Sequence, residues 1–487
     1  MPGEGFLLLD STAVPRGRRA DWLAAELRAA IARGALPAGA RLPASRVLAG
    51  ELGFARNTVA EAYRRLAEEA LVVAHVGVGT VVAPSAAASS GAARDAAPPV
   101  RSARTPAPTR ATASAGPPGP AVRPGAEPID LAAGLPDLSA FPRAAWLRAE
   151  REVLDGASRR TLGYQDPAGT PALREALAAW LARSRGVAAD PGAIVITSGV
   201  TGALALLADA LLEEGHRSVA LEDPGATGNR RILGYWMPRI EPVPVDEDGL
   251  VVDELRRTDA DVVLVTPAHQ YPSGVVLAPE RRRELLAWAA ERERRLVIED
   301  DYDAEYRYDR RPVRALQPLA PERVAYTSSL SKTLAPALRL GWLVPPSRLL
   351  GRIVERRWAS DLGSPALPQL AFARLLDSGA LERHLRGMRA RHRQRRDAAV
   401  AAIRAQLPGV RVTGVAAGLH LLLELPAGAD DAAVAAAARE RGVLVQPLGA
   451  QRHRPGGPGL VVHYAAEHPA RFERAVAVLA GVLGGRS

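Results

Sequence analysis

Ser328-Ser329-Leu330-Ser331-Lys332-Thr333-Leu334-Ala335-Pro336-Ala337-Leu338-Arg339-Leu340-Gly341-Trp342 holds the one lysine of a 487-residue chain in which Lys and Arg together number 63. An Arg-biased composition rich in Ala, Gly and Pro leaves few lysines by chance, which is one reading of this position. The other is chemical. A guanidinium keeps its charge and is a poor nucleophile, whereas a desolvated lysine can lose its proton and form an imine with an aldehyde. The hydroxyls of this stretch and Arg339 suit a phosphate dianion, so a phosphorylated aldehyde cofactor is the expectation to test along the rest of the chain.

Such a cofactor needs a lysine, an acid for its ring nitrogen, donors for its phosphate and something packed on its ring. Upstream, the apolar strand Leu296-Val297-Ile298 runs into Glu299-Asp300-Asp301-Tyr302-Asp303. Acids at the carboxyl end of a strand in a parallel sheet lie where ligands bind, and Asp300 is the candidate partner of the ring nitrogen; a solvated acidic loop is the alternative. Further upstream, Ile194-Val195-Ile196 leads through Thr197-Ser198-Gly199-Val200-Thr201-Gly202 into the helical Ala203-Leu204-Ala205-Leu206-Leu207. A glycine-containing turn that opens a helix offers N–H groups and a positive dipole end to a phosphate, although such turns are common.

These segments lie among helical patterns alternating with short apolar strands, including Val262-Val263-Leu264-Val265, over residues 128–487. That alternation predicts an α/β domain with a mainly parallel sheet. Residues 84–127, with Ala-Pro-Pro and Gly-Pro-Pro-Gly-Pro runs and few large apolar side chains, read as a flexible linker. Before it, residues 1–83 form a separate small unit. Trp22, Leu23, Leu27, Ala30 and Ile31 mark a first helix over 18–33, a second follows over 46–52, Gly53 turns the chain, and a third spans about 57–69 with Val59, Tyr63 and Leu66 inward. Leu71-Val72-Val73 and Thr80-Val81-Val82 flank His75-Val76-Gly77-Val78-Gly79 as two strands around a wing tip. Helix, tight turn and helix predict a helix-turn-helix; a three-helix bundle for protein contact has the same periodicity.

Composition narrows the field. With no cysteine, disulfides, Cys-ligated zinc and thiol catalysis are excluded, no metal site is expected, and a reducing cytoplasm is the expected location. No apolar stretch approaches a membrane span, and no basic segment precedes Phe6-Leu7-Leu8-Leu9 as in a signal peptide. A formal charge of +10 admits a polyanionic partner.

Arg41-Leu42-Pro43-Ala44-Ser45-Arg46, Leu52-Gly53, Arg56-Asn57-Thr58-Val59, Ala62-Tyr63 and Gly77-Val78-Gly79-Thr80 together resemble the winged helix-turn-helix of GntR-type bacterial regulators. The resemblance implies a double-stranded DNA operator as partner. It places Arg46, Arg56, Asn57 and Thr58 at or beside the start of the recognition helix, and Gly79 where the wing backbone approaches DNA.

Residues 128–487 resemble a fold-type I aminotransferase that binds pyridoxal 5′-phosphate (PLP). The likeness is carried by Tyr164-Gln165-Asp166-Pro167-Ala168-Gly169, Glu222-Asp223-Pro224-Gly225, Thr266-Pro267-Ala268-His269-Gln270-Tyr271-Pro272-Ser273-Gly274, Glu299-Asp300-Asp301-Tyr302, Ser331-Lys332-Thr333 and Ala417-Gly418-Leu419-His420. The two halves together resemble the MocR family, some members of which control vitamin B6 supply. The resemblance implies a large domain with a smaller C-terminal α+β subdomain and Lys332 as Schiff-base lysine. It further implies Asp300 on the pyridine nitrogen, Tyr302 on the ring hydroxyl oxygen, and Ser198, Gly199, Ser329 and Arg339 on the phosphate. Tyr164 would reach across from the partner subunit of a homodimer, in which the DNA-binding domains are often exchanged between subunits.

Two departures bear on function. Relatives place a ring-stacking aromatic where Ala226 stands, and an Arg that forks onto a substrate carboxylate where Val461 stands. Both losses favour a sensor of PLP itself or of an amine, without net turnover, over a working aminotransferase with an appended DNA-binding domain.

Overall fold

The computed structural model describes residues 14, 16–69, 71–75, 79–83, 128–308 and 313–484, which fall into two compact units. The stretch read as a linker, 84–127, and the wing tip Val76, Gly77 and Val78 lie outside the described residues.

In the first unit, α1 (Arg19–Ala32), α2 (Ser45–Leu52) and α3 (Arg56–Glu68) precede the hairpin of β1 (Val72–His75) and β2 (Gly79–Val82). Leu23, Leu27 and Ile31 of α1 share a core with Leu48 of α2, Val59, Ala62 and Leu66 of α3, and Val72 and Val82 of the hairpin. Gly53 makes the turn after α2 in the left-handed region (φ 64°), which a side chain would disfavour. Ser45 lies inside α2 as its first residue, because Ala44 is still extended. Tyr63 donates from its hydroxyl to the Pro43 carbonyl (2.9 Å), fixing the entry to α2 against α3.

The second unit is built on an eight-stranded sheet. Its strands are β4 (Val195–Thr197), β5 (Ser218–Asp223), β6 (Arg239–Asp246), β7 (Gly249–Leu250), β8 (Val262–Val265), β9 (Leu296–Asp300), β10 (Val324–Ser329) and β11 (Gly341–Val344), in the spatial order β4-β11-β10-β9-β8-β5-β6-β7. β6, β5, β8, β9 and β10 run parallel; β11 is antiparallel to both its neighbours, so β4 points the same way as β10. The central strands are buried on both faces, which is why they read as continuous apolar runs. Helix Val200–Glu213 packs on one face, and Leu285 and Trp288 of helix Pro279–Ala290 on the other.

A smaller antiparallel sheet joins β12 (Arg411–Thr413), β13 (His420–Glu424), β15 (Gln446–Pro447) and β16 (Gly459–His463). A separate short pair joins β3 (Ile129–Asp130) to β14 (Val443–Leu444) in parallel, so the first described residues of the unit are held by its C-terminal part. Among the described residues no helix is long and apolar enough to cross a membrane.

The strand read as ending at Ile298 continues through Asp300, so Glu299 and Asp300 are strand residues. Buried partners make that extension tolerable. Arg185 grips Asp301 with two hydrogen bonds (2.6 and 3.1 Å) and donates a third to the Val313 carbonyl. Arg185→Met leaves Asp301 buried and uncompensated, and should destabilise the second unit by about 3–5 kcal/mol. Urea unfolding would measure this; a loss below about 1 kcal/mol would contradict a structural role for the pair.

Candidate functional site

The four acids of the Glu299–Asp303 stretch are buried, and each has a different environment. Because strand side chains alternate, Glu299 and Asp301 share one face and Asp300 occupies the other. Glu299 accepts from the backbone N–H groups of Leu316 and Gln317, and burial pushes its carboxyl up to about 7. Asp301 takes Arg185 and the Tyr326 hydroxyl (2.7 Å). Asp303 lies 3.0 Å from Nδ1 of His269. Asp300 accepts from Nδ2 of Asn229 (2.8 Å) through one oxygen, while its other oxygen, Oδ1, is buried without a partner. Burial pushes this carboxyl up to about 6, against the opposing pull of Asn229 and Lys332. The alternative of a solvated acidic loop does not hold.

Asp300 opens onto a cavity of 360 Å³ at the carboxyl edge of the parallel sheet. Tyr302, Ser329, Lys332 and Arg339 line the same cavity. The Lys332 ammonium donates to the Gly134 carbonyl, and burial pushes it below the ordinary lysine range against the pull of Asp303 and Asp300. Gly134 leaves the room for this: a β-carbon there would stand 2.9 Å from Lys332 Nζ and 3.1 Å from His463 Nε2. The Tyr302 hydroxyl donates to the His269 carbonyl (2.9 Å).

Ser198 and Gly199 sit just before the N-terminus of helix Val200–Glu213, with Gly199 as its N-cap (φ 81°). They are not in the cavity wall; Val200 and Thr201 are. Arg339, itself in the left-handed region (φ 49°), donates to the Ser198 carbonyl and lies against Gly199. This end of the cavity therefore joins a helix N-terminus, a guanidinium and the Ser329 and Ser331 side chains, a donor set suited to a phosphate dianion. With the unpartnered Oδ1 of Asp300 as an acceptor for a ring N–H and a desolvated lysine lining the same cavity, the residues fit PLP.

Tyr164 lies outside this cavity, 92% exposed. Ala226 lines it without offering a ring. Val461 is buried in β16 against Leu422 and Leu448 beside Tyr271, and the next residue on the same face, His463, reaches the cavity instead. Sequence reasoning missed His463, although strand alternation from Val461 points to it. It also missed Asn229, three residues beyond Ala226. Gly134 carried no usable signal, being brought to Lys332 across 198 residues by the pairing of β3 with β14.

In the first unit Arg46, Arg56 and Asn57 are exposed and Thr58 is half-buried. Arg41, Arg46 and Arg56 have no ion-pair partner among the described residues, whereas Arg28 pairs with Glu69 and Arg65 with Glu61 and Asp21. Of these, Arg56 is the first residue of α3, an exposed cation at the start of that helix. Gly79 has φ 99°, with open space where a side chain would project.

Comparison with known proteins agrees with both units. Residues 126–478 match the family of aminotransferase class I and II, and residues 19–82 match the bacterial regulatory proteins of the gntR family. The chain is 33% identical over 473 residues to the "Probable rhizopine catabolism regulatory protein MocR" of Rhizobium meliloti, covering 95% of this chain and 93% of the relative. It is 32% identical over 403 residues to the "HTH-type pyridoxine biosynthesis transcriptional regulator PdxR" of Corynebacterium glutamicum, covering 82% of each. Among solved structures, an archaeal alanine:glyoxylate aminotransferase superposes with a TM-score of 0.70 at 30% identity, over 74% of this chain and 92% of that one.

The raised carboxyl of Asp300 has a consequence for stability. Its folded pKa of about 6 lies above the ordinary aspartate value, so the stability it contributes is full below that ordinary value and is lost as pH rises through 6. In cofactor-stripped protein, Asp300→Asn should match wild type near pH 4 and become the more stable of the two by pH 7.5, by up to about 3 kcal/mol. Unfolding midpoints of both proteins across this range provide the check, and a pH-independent difference would contradict the assignment.

Proposed function

The chain belongs to the MocR-type transcriptional regulators, in which a GntR DNA-binding unit is joined to an aminotransferase-like unit, and we propose that it holds PLP on Lys332 and senses PLP itself or an amine. The observation that carries this reading is the juxtaposition, in one cavity, of the single lysine of the chain and the unpartnered Oδ1 of Asp300. Bound there, PLP supplies an aldehyde carbon that bonds covalently to amines. Asp300 accepts the hydrogen bond of the ring nitrogen and Tyr302 serves the ring hydroxyl oxygen. Ser198, Gly199, Ser329 and Arg339 hold the phosphate, with Tyr164 contributed by the partner subunit of a homodimer. The missing aromatic at Ala226 and the missing Arg at Val461 weigh against sustained transamination and for sensing.

On the same proposal residues 1–83 bind the operator through Arg46, Arg56, Asn57, Thr58 and Gly79, 84–127 act as a tether, 128–487 act as the effector unit, and the cytoplasm is the working compartment. A tether transmits no torque, so coupling requires differential stability of two arrangements of the protein in different ligand states. The names of the relatives, one a regulator of pyridoxine biosynthesis and one of rhizopine catabolism, support control of small-molecule metabolism.

Operator affinity at fixed salt tests this reading: wild type with and without PLP and with amines should differ by roughly 5- to 150-fold, the usual range of allosteric coupling, and Lys332→Ala should not respond to amines. Equal affinity and transcription output in every state, together with sustained turnover of an amino acid and a keto acid, would move the protein to the enzymes. Separately, replacing Arg46, Arg56 and Thr58 together by Ala should weaken operator binding and flatten its log–log salt slope by about 2, if both arginines meet phosphates. An unchanged affinity and slope would remove that surface from the interface.

A further inference from the structure

We propose that the amine taken up by this cavity carries a hydroxyl group and no carboxylate, and that His463 selects it. The inference rests on the reading of Lys332 as the cofactor-bearing lysine and names the ligand class of that same site.

The wall beside Lys332 is made by Gly134, Tyr271, Gln446 and His463, with His420 behind. His463 Nδ1 lies 3.2 Å from the Leu131 carbonyl, a group that only accepts, so Nδ1 carries the ring proton and Nε2 presents a bare lone pair. Nε2 has no partner among the described residues, and it crowds the same point beside Gly134 as Lys332 Nζ. Tyr271 donates its hydroxyl proton to Gln446 Oε1 (2.9 Å), leaving lone pairs for the cavity. Gln446 is itself engaged, donating to the Ala132 carbonyl (2.6 Å) and accepting from Gln451 (2.9 Å). His420 spends its Nε2–H on the Pro272 carbonyl (3.2 Å).

This wall therefore offers the lone pairs of His463 and Tyr271, one remaining N–H of the Gln446 amide, and no cation. Among the described lining residues the only cations are Lys332 and Arg339, and Arg339 is tied to the Ser198 carbonyl at the phosphate end. Burial pushes both imidazoles down, His463 to about 4 and His420 well below its usual range, so the wall stays uncharged near neutrality. A carboxylate also only accepts, and it would lose its hydration to face the lone pairs of His463 and Tyr271, with a single uncharged amide N–H of Gln446 in place of a cation. A hydroxyl has a proton to give, and His463 Nε2 is placed to receive it. On uptake the bond from the amine nitrogen to the cofactor carbon forms as the bond to Lys332 Nζ breaks, and the two protons of the free amine pass to Nζ.

The test titrates PLP-loaded full-length protein with 2-aminoethanol, propylamine and glycine, which differ in carrying a hydroxyl, a methyl or a carboxylate. The visible cofactor band is followed and concentrations are expressed as free base. Wild type should respond to 2-aminoethanol at roughly three- to tenfold lower concentration than to propylamine, the worth of one hydrogen bond, with glycine weakest. His463→Leu should bring the ratio of 2-aminoethanol to propylamine close to one, and His463→Gln, which keeps an acceptor, should retain part of it. Equal responses in wild type, a preference for glycine, or a ratio that survives His463→Leu would overturn the proposal. A protein with no visible band and no response to any amine would instead remove the reading of Lys332, and this inference with it.

Discussion

Three consecutive carboxyl groups, Glu299, Asp300 and Asp301, are buried at the end of one central strand, and the site depends on how two of them are satisfied so that the third is left free. Arg185 and Tyr326 take Asp301, and the N–H groups of Leu316 and Gln317 take Glu299, all on one face of the sheet. On the other face Asp300 has a single protein partner, Asn229, and an unpaired oxygen. A buried polar atom without a partner costs free energy, and a ligand that supplies the partner recovers that cost. The strand ends in an acceptor without a protein partner, on a residue that lines the cavity holding the single lysine.

The rest of the cavity follows from chain topology. Parallel strands deliver Asp300, Ser329 and the start of helix Val200–Glu213 to one edge of the sheet, as doubly wound sheets do. The smaller sheet closes the other side, with His420 and His463 opposite each other on β13 and β16. Where the resemblance to aminotransferases implies an arginine, this wall carries the neutral rings of Tyr271, His420 and His463.

Much of this was legible in the sequence because the chemistry lies in contiguous stretches. The lone Lys332, the acid-ended strand and the glycine turn before a helix each read as a part of a phosphate-bearing cofactor site, and the helical spacing around Gly53 specifies the turn between α2 and α3. What was not legible came from long-range pairing. Gly134 reaches Lys332 from a stretch held by the pairing of β3 with β14 and by bonds from Gln446 and His463, and no local pattern announces a two-residue strand. The burial of Glu299 and Asp301 was equally hidden, since an acidic run reads as solvated until Arg185, 116 residues upstream of Asp301, is seen beside it. His463 lies between these cases: strand alternation from Val461 puts it on the same face, but nothing local marks which residue of that face reaches the cavity.

The most direct test of the central claim is chemical trapping. Purified protein reduced with borohydride, digested and mapped by mass spectrometry should carry the pyridoxyl-phosphate mass on one peptide, the one containing Lys332, and Lys332→Ala treated in the same way should carry none. A label on another peptide, or an unlabelled wild type after incubation with PLP, would contradict the account.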